Sequence, residues 1–65
     1  MFNPGDRVEL VRTNDPYTRL RPGTRGNVIR ERQVFGESQI SIRWDDGSSL
    51  MMLPDEGDQI RKVDE

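Results

Sequence analysis

The sequence predicts an all-β fold: a small barrel of five short strands with a long loop after the first. Three observations predict it. Apolar and polar residues alternate over short stretches, the period of a strand with one buried face. Six glycines and four prolines mostly punctuate those stretches. The 65 residues include no alanine, the best helix former.

Residues 1–6, MFNPGD, form a turn, with Pro4-Gly5 as its type II central pair. The first strand is 7–12, RVELVR, with Val8 and Leu10 on one face. Residues 13–24, TNDPYTRLRPGT, make a long polar loop, turning at Asn14-Asp15-Pro16 and again at Pro22-Gly23. A connection this long in so small a domain is commonly functional or disordered. The second strand is 25–32, with Val28 in the core and Gly26 marking a bulge or a close backbone approach. After a turn at Gly36, residues 38–44 give the cleanest alternation, placing Ile40, Ile42 and Trp44 on one face. Asp45-Asp46-Gly47 is a hairpin signal leading to a fourth strand over 48–53. Residues 54–58, PDEGD, form a tight acidic turn with one turn of 3₁₀ helix. A last strand over 59–63 completes five, a count that suggests closure because an open sheet leaves exposed edges.

Composition bounds the rest. A chain of 65 residues makes one domain and buries only about 60% of its unfolded surface. Leu, Ile, Val and Phe number 15, enough for a small core that must be well used. With no cysteine and no histidine, thiolate metal sites, disulfides and the commonest general base are excluded. The longest apolar run, Leu50 to Leu53, is far too short for a membrane span or a signal peptide. A cytoplasmic protein with no cofactor is expected, and it is read as a monomer.

The strings PGDRVELVRTNDPYTRLRPGTRGNV and IRWDDGSSLMMLP resemble a small family of unknown function (domain of unknown function 4314) found in actinobacteria, their phages and mobile elements. The resemblance spans residues 2–63, and DPYTRLRPGT is its specific part. PGTRGNV and WDDG are shared with many SH3-like and KOW-like barrels. The resemblance implies an SH3-like barrel and a phage or mobile-element setting. It brings no activity with it, and function carried from the fold alone would be analogy.

Charge is unevenly placed. Residues 1–44 hold eight arginines against five acids, and residues 45–65 hold Arg61 and Lys62 against seven. An acidic chain of net charge −2 therefore has a basic first two-thirds. In and beside the first loop, Arg12, Arg19, Arg21 and Arg25 face only Asp15, with Tyr17 among them. Guanidinium groups grip phosphate or carboxylate in two places and stack on rings, so these five residues are the candidate binding site. The plainer reading pairs the arginines with Asp55, Glu56 and Asp58 as solubilising surface charge. Trp44 could serve as a ligand platform, but its spacing favours the core. The acids at 45–46 and 55–58 lack Ca²⁺-loop spacing and read as solvated turn residues, so no metal is expected. Met51 and Met52 point to opposite faces, one into the core and one onto the surface.

These features favour a non-catalytic binding module, a phage or mobile-element accessory docking on a protein partner through the Arg/Tyr loop. The alternative is a KOW-like nucleic-acid-binding module using the same loop, against which stands the acidic total charge. Neither a membrane nor a small-molecule substrate is expected.

Overall fold

The computed structural model describes residues 2–14 and 19–64. Five strands follow in order: β1 (Arg7–Arg12), β2 (Arg25–Val34), β3 (Glu37–Trp44), β4 (Ser49–Met52) and β5 (Gln59–Lys62). A 3₁₀ turn, Pro54–Glu56, separates the last two. All strands pair antiparallel in one sheet of order β4-β3-β2-β1-β5. The all-β expectation holds, and β2 runs two residues beyond its expected end.

The turns form where Gly and Pro place them. Asn3–Asp6 and Arg21–Thr24 are matching turns, closed by Asp6 N–H to the Asn3 carbonyl (3.0 Å) and Thr24 N–H to the Arg21 carbonyl (3.1 Å). Gly5 and Gly23 sit at φ of 90° and 96°, as the third position of a type II turn requires. The Asp-Asp-Gly hairpin is a three-residue loop, in which only Gly47 takes a positive φ. Gly26 is needed for space. A Cβ there would lie 2.7 Å from the Arg43 carbonyl oxygen and 3.0 Å from the Trp44 Cα across the ladder.

The expected closed barrel is not seen. β4 and β5 are the sheet's two edges, and no ladder joins them among the described residues. Strand pairing is replaced at that seam by turn and side-chain hydrogen bonds. The Leu53 carbonyl accepts from Glu56 N–H (2.9 Å) and Asp58 N–H (3.3 Å), while Leu53 N–H donates to the Asp58 carboxylate at 3.0 Å. Leu53, the residue that follows β4, thus has both of its backbone groups engaged locally.

One sheet can bury side chains almost completely only by curling around them. Two bulges supply the bend. The β1–β5 register skips Val11, and the β2–β3 register skips Ile29. Both skipped residues are exposed, which accounts for two apolar side chains in solvent. The bulge at Ile29 also flips the facing of β2, so that Glu31 lies opposite Ile40 and accepts a hydrogen bond from Phe2 N–H at 2.7 Å. Val8, Leu10, Val28, Ile40, Ile42, Trp44 and Met52 form the core, joined by Leu20 from the first loop. Met52 is inside and Met51 outside, as expected.

Trp44 is 1% exposed, and its Nε1–H has no acceptor among the described residues. The indole is therefore held by packing, not by a polar anchor. Trp44→Ala should cost about 3–5 kcal/mol, comparable to the whole stability of so small a domain. The variant should show no cooperative thermal transition by circular dichroism, whereas Trp44→Phe, with no hydrogen bond to lose, should keep one. A cooperative melt in Trp44→Ala would put the indole outside the core.

Candidate functional site

The loop between β1 and β2 is fixed at both described ends. At its start, Asp58 acts as the receiver. Its Oδ1 accepts from Thr13 Oγ1 at 2.7 Å and from Asn14 N–H at 3.2 Å, and its Oδ2 accepts from Leu53 N–H. Asn14 Nδ2 donates to the Glu56 carbonyl at 2.9 Å. Gly57 lies under that amide at φ 104°, and a Cβ on it would come within 2.0 Å of Asn14 Nδ2. At its end, Leu20 is buried in the core, Gly23 N–H donates to the Leu10 carbonyl (2.8 Å), and Leu10 N–H donates to the Thr24 carbonyl (2.7 Å).

The sequence reading took Asp58 for a solvated turn residue. It is instead a buried carboxylate, with three donors converging from two chain segments. Burial pushes its pKa up, but the hydrogen bonds from Leu53, Thr13 and Asn14 outweigh this and hold it below the usual aspartate value. The other turn acids are exposed as expected, although Asp45 is paired with Arg7. Asp46 accepts from Ser48 N–H and Oγ, and Asp55 accepts from Ser38 N–H. Among the described residues, no group of three acids could hold a metal ion.

The candidate arginines separate into two sets. Arg19 and Arg21 flank buried Leu20 and are exposed, as alternation in an extended segment dictates. Neither forms an ion pair with a described acid. Arg12 is also exposed and reaches only Asn14 Oδ1, at 3.5 Å. Arg25 is different: its Nε lies 3.2 Å from Glu9 Oε1. Glu9 also receives Arg61 from the far side (3.1 Å), so one carboxylate bridges three strands. The Arg61 hydrogen bond is the chief cause of the lowered Glu9 pKa, helped by Arg25 and opposed by partial desolvation. The pairing expected with Asp55, Glu56 and Asp58 is not made by any described arginine. Tyr17 lies outside the described residues.

A second group of cations lies on the outer face of the sheet. Arg7, Arg25 and Arg43 alternate with the buried positions of β1, β2 and β3, and Arg61 lies beside them on β5. Arg7 forms a two-pronged pair with the Asp45 carboxylate and reaches Asn27 Oδ1 at 3.4 Å. Sequence reasoning centred on the loop missed this face, although the strand alternation that located the core also points these side chains outward.

Residues 1–63 match the family described as "Domain of unknown function (DUF4314)". No curated protein and no solved structure matches the chain.

The acid titration has a definite sign. Asp6, Glu9, Asp45, Asp46 and Asp58 all have folded pKa values below their ordinary ones. The stability they contribute is complete above the unfolded carboxylate values and is lost as pH falls through the lowered ones. Urea midpoints should therefore be flat from pH 7 to about 5 and fall below about 4. Asp58→Ala strands three donors and should cost about 2–4 kcal/mol at pH 7. It should also flatten the acid limb. An Asp58→Ala protein with the wild-type midpoint would remove the carboxylate from this role.

Proposed function

The chain belongs to the DUF4314 family, and from its surface we propose that it is a non-catalytic SH3-like binding module that docks on an acidic protein surface through the first loop. The observation that carries this reading is the state of Arg12, Arg19 and Arg21. All three are exposed and without an acidic partner among the described residues, Arg12 at the end of β1 and Arg19 and Arg21 on the loop that follows, which is pinned to Asp58 at one end and to Leu10 and the core at the other. Rigid roots under unneutralised guanidinium groups suit capture of carboxylates, since little backbone entropy is lost on binding. The SH3-like assignment is supported by the β1–β4 meander, the long first loop, the 3₁₀ turn before β5 and the return of β5 to β1. The sequence resemblance supports a role as an accessory of a phage or mobile element, the composition supports a cytoplasmic setting, and Tyr17 is proposed as the loop's aromatic contact.

A second reading, nucleic-acid binding, is favoured by one specific observation. The outer sheet face adds Arg7, Arg25, Arg43 and Arg61 to the cations of the loop. Against it, Arg7, Arg25 and Arg61 are paired with Asp45 or Glu9, so the field of that face is largely neutralised.

Replacing Arg12, Arg19 and Arg21 with Glu together should leave the melting temperature nearly unchanged, because exposed charges contribute about 0–1 kcal/mol each. The same variant, immobilised, should lose the proteins that wild-type resin captures from host lysate treated with nuclease. Arg25→Glu behaves differently, placing a second carboxylate beside Glu9 and lowering stability. If capture instead disappears on nuclease treatment, and an oligonucleotide titration shows a log–log salt slope of about −2 to −3, the nucleic-acid reading replaces this one. Undiminished capture by the triple variant excludes the loop as the site.

A further inference from the structure

The β2–β3 hairpin ends in a two-residue turn, Phe35-Gly36, between the paired residues Val34 and Glu37. Both turn residues have positive φ, 51° at Phe35 and 81° at Gly36. This is the type I′ geometry that Asn-Gly satisfies without strain. Phe35 is the one non-glycine described residue with positive φ. It is also fully exposed, at 103%. An aromatic side chain here gains nothing within the chain: it adopts an unfavourable backbone conformation and buries no surface. A ring so placed is positioned for contact outside the chain, and aromatic anchors dominate such contacts.

The same chain carries a receptor of fitting character. Ile29, put into solvent by the β2 bulge, lies with exposed Leu50 and Met51 of β4 along a mainly apolar groove of about 370 Å³, whose lining also includes Arg30, Ser41 and Ser49. This is ample for one phenyl ring, being at the low end of ligand-sized pockets. The groove adjoins β4, an edge strand whose other side is unpaired among the described strands, so its backbone groups are open to an incoming strand.

We propose that the chain self-associates by seating Phe35 of each copy in the Ile29–Leu50–Met51 groove of the other. Six residues of strand separate Ile29 from Phe35, about 20 Å at 3.3 Å per residue. Two identical arms laid antiparallel, each with a knob at one end and a socket about 20 Å away, satisfy both contacts at once. This is the closed twofold arrangement. Contacts confined to two such arms bury less than the roughly 1,200 Å² of a stable complex, so the dimer is weak and concentration-dependent. The monomer expected from sequence is then the dilute state of a monomer–dimer equilibrium.

Sedimentation equilibrium from about 10 μM to 1 mM reads the proposal directly. The weight-average mass should climb from the 7.6 kDa of one chain toward twice that value. Phe35→Asn should weaken association at least tenfold and raise the melting temperature of the dilute protein by a few degrees, because Asn relieves the turn. Met51→Glu should weaken association to a similar degree through the socket. An equimolar mixture of the two variants, which restores one knob and one socket, should associate more strongly than either alone. A wild-type chain that stays monomeric to 1 mM overturns the proposal, as does unchanged association in both variants or no gain on mixing them. A melting temperature lowered by Phe35→Asn overturns the claim that the ring does nothing for its own fold.

Discussion

The Asp58 carboxylate is the main link between parts of the structure that no strand ladder joins. Its two oxygens receive Leu53 N–H from the end of β4, and Thr13 Oγ1 and Asn14 N–H from the end of β1. Those segments lie at the seam where the sheet has no strand ladder. A seam closed by side-chain bonds needs an acceptor able to serve several donors, and an ionised carboxylate, an acceptor only, is suited to that. Because it is ionised, its hydrogen bonds are stronger than neutral ones, which offsets the desolvation of a charge in a shallow core. The 3₁₀ turn and Gly57 are the geometry that delivers it: Gly57 leaves room for Asn14 to reach the Glu56 carbonyl.

Curvature is the second constraint, and it follows from size. Eight buried apolar side chains must be enclosed by one layer of five strands. A regular sheet twists but does not fold over its own face, so β1 and β2 each skip one residue and bend. The bends place Val11 and Ile29 outside. The outer face is left polar, and Glu9 at its centre links β2, β1 and β5 through Arg25 and Arg61. Cross-strand pairs of this kind contribute little individually but specify register.

Much of the fold was legible because strand alternation and turn chemistry are local. Ile40, Ile42 and Trp44 on one face, the paired Pro-Gly turns and the Asp-Asp-Gly hairpin each depend on a few neighbouring residues. The unread features depend on distant partners. Leu20 sits between two arginines in a polar loop, and nothing local reveals that it enters the core. Asp58 looks like any acid in a Pro-Asp-Glu-Gly-Asp turn, and its burial is set by Thr13 and Asn14, more than forty residues earlier. The bulge at Ile29 breaks the alternation of β2, so the continuation of that strand to Val34 lacked its usual signature. At the site, the loop arginines were legible as candidates from their concentration against a single acid, Asp15. The pairing of Arg25 with Glu9 was not, because it is a register effect between β1 and β2.

A core this small leaves no deep cleft among the described residues, so recognition by this chain falls to what projects from it. Two features project, and they differ in physics. The first loop presents exposed guanidinium cations on an anchored backbone; such groups steer encounter and set specificity more than they add affinity. The hairpin tip presents a ring with two rotatable bonds, which loses little entropy on contact and gains the most from burial. Both rest on rigid roots, the loop on Asp58 and Leu10, the tip on an eight-pair ladder. On this reading the arginines select an acidic partner while the Phe35 contact, by pairing two copies, presents two loops at once. Two linked loops bind a repeated acidic surface more tightly than either alone, because the second engagement is intramolecular. A weak dimer is sufficient for this, since each loop that docks also holds its partner chain in place.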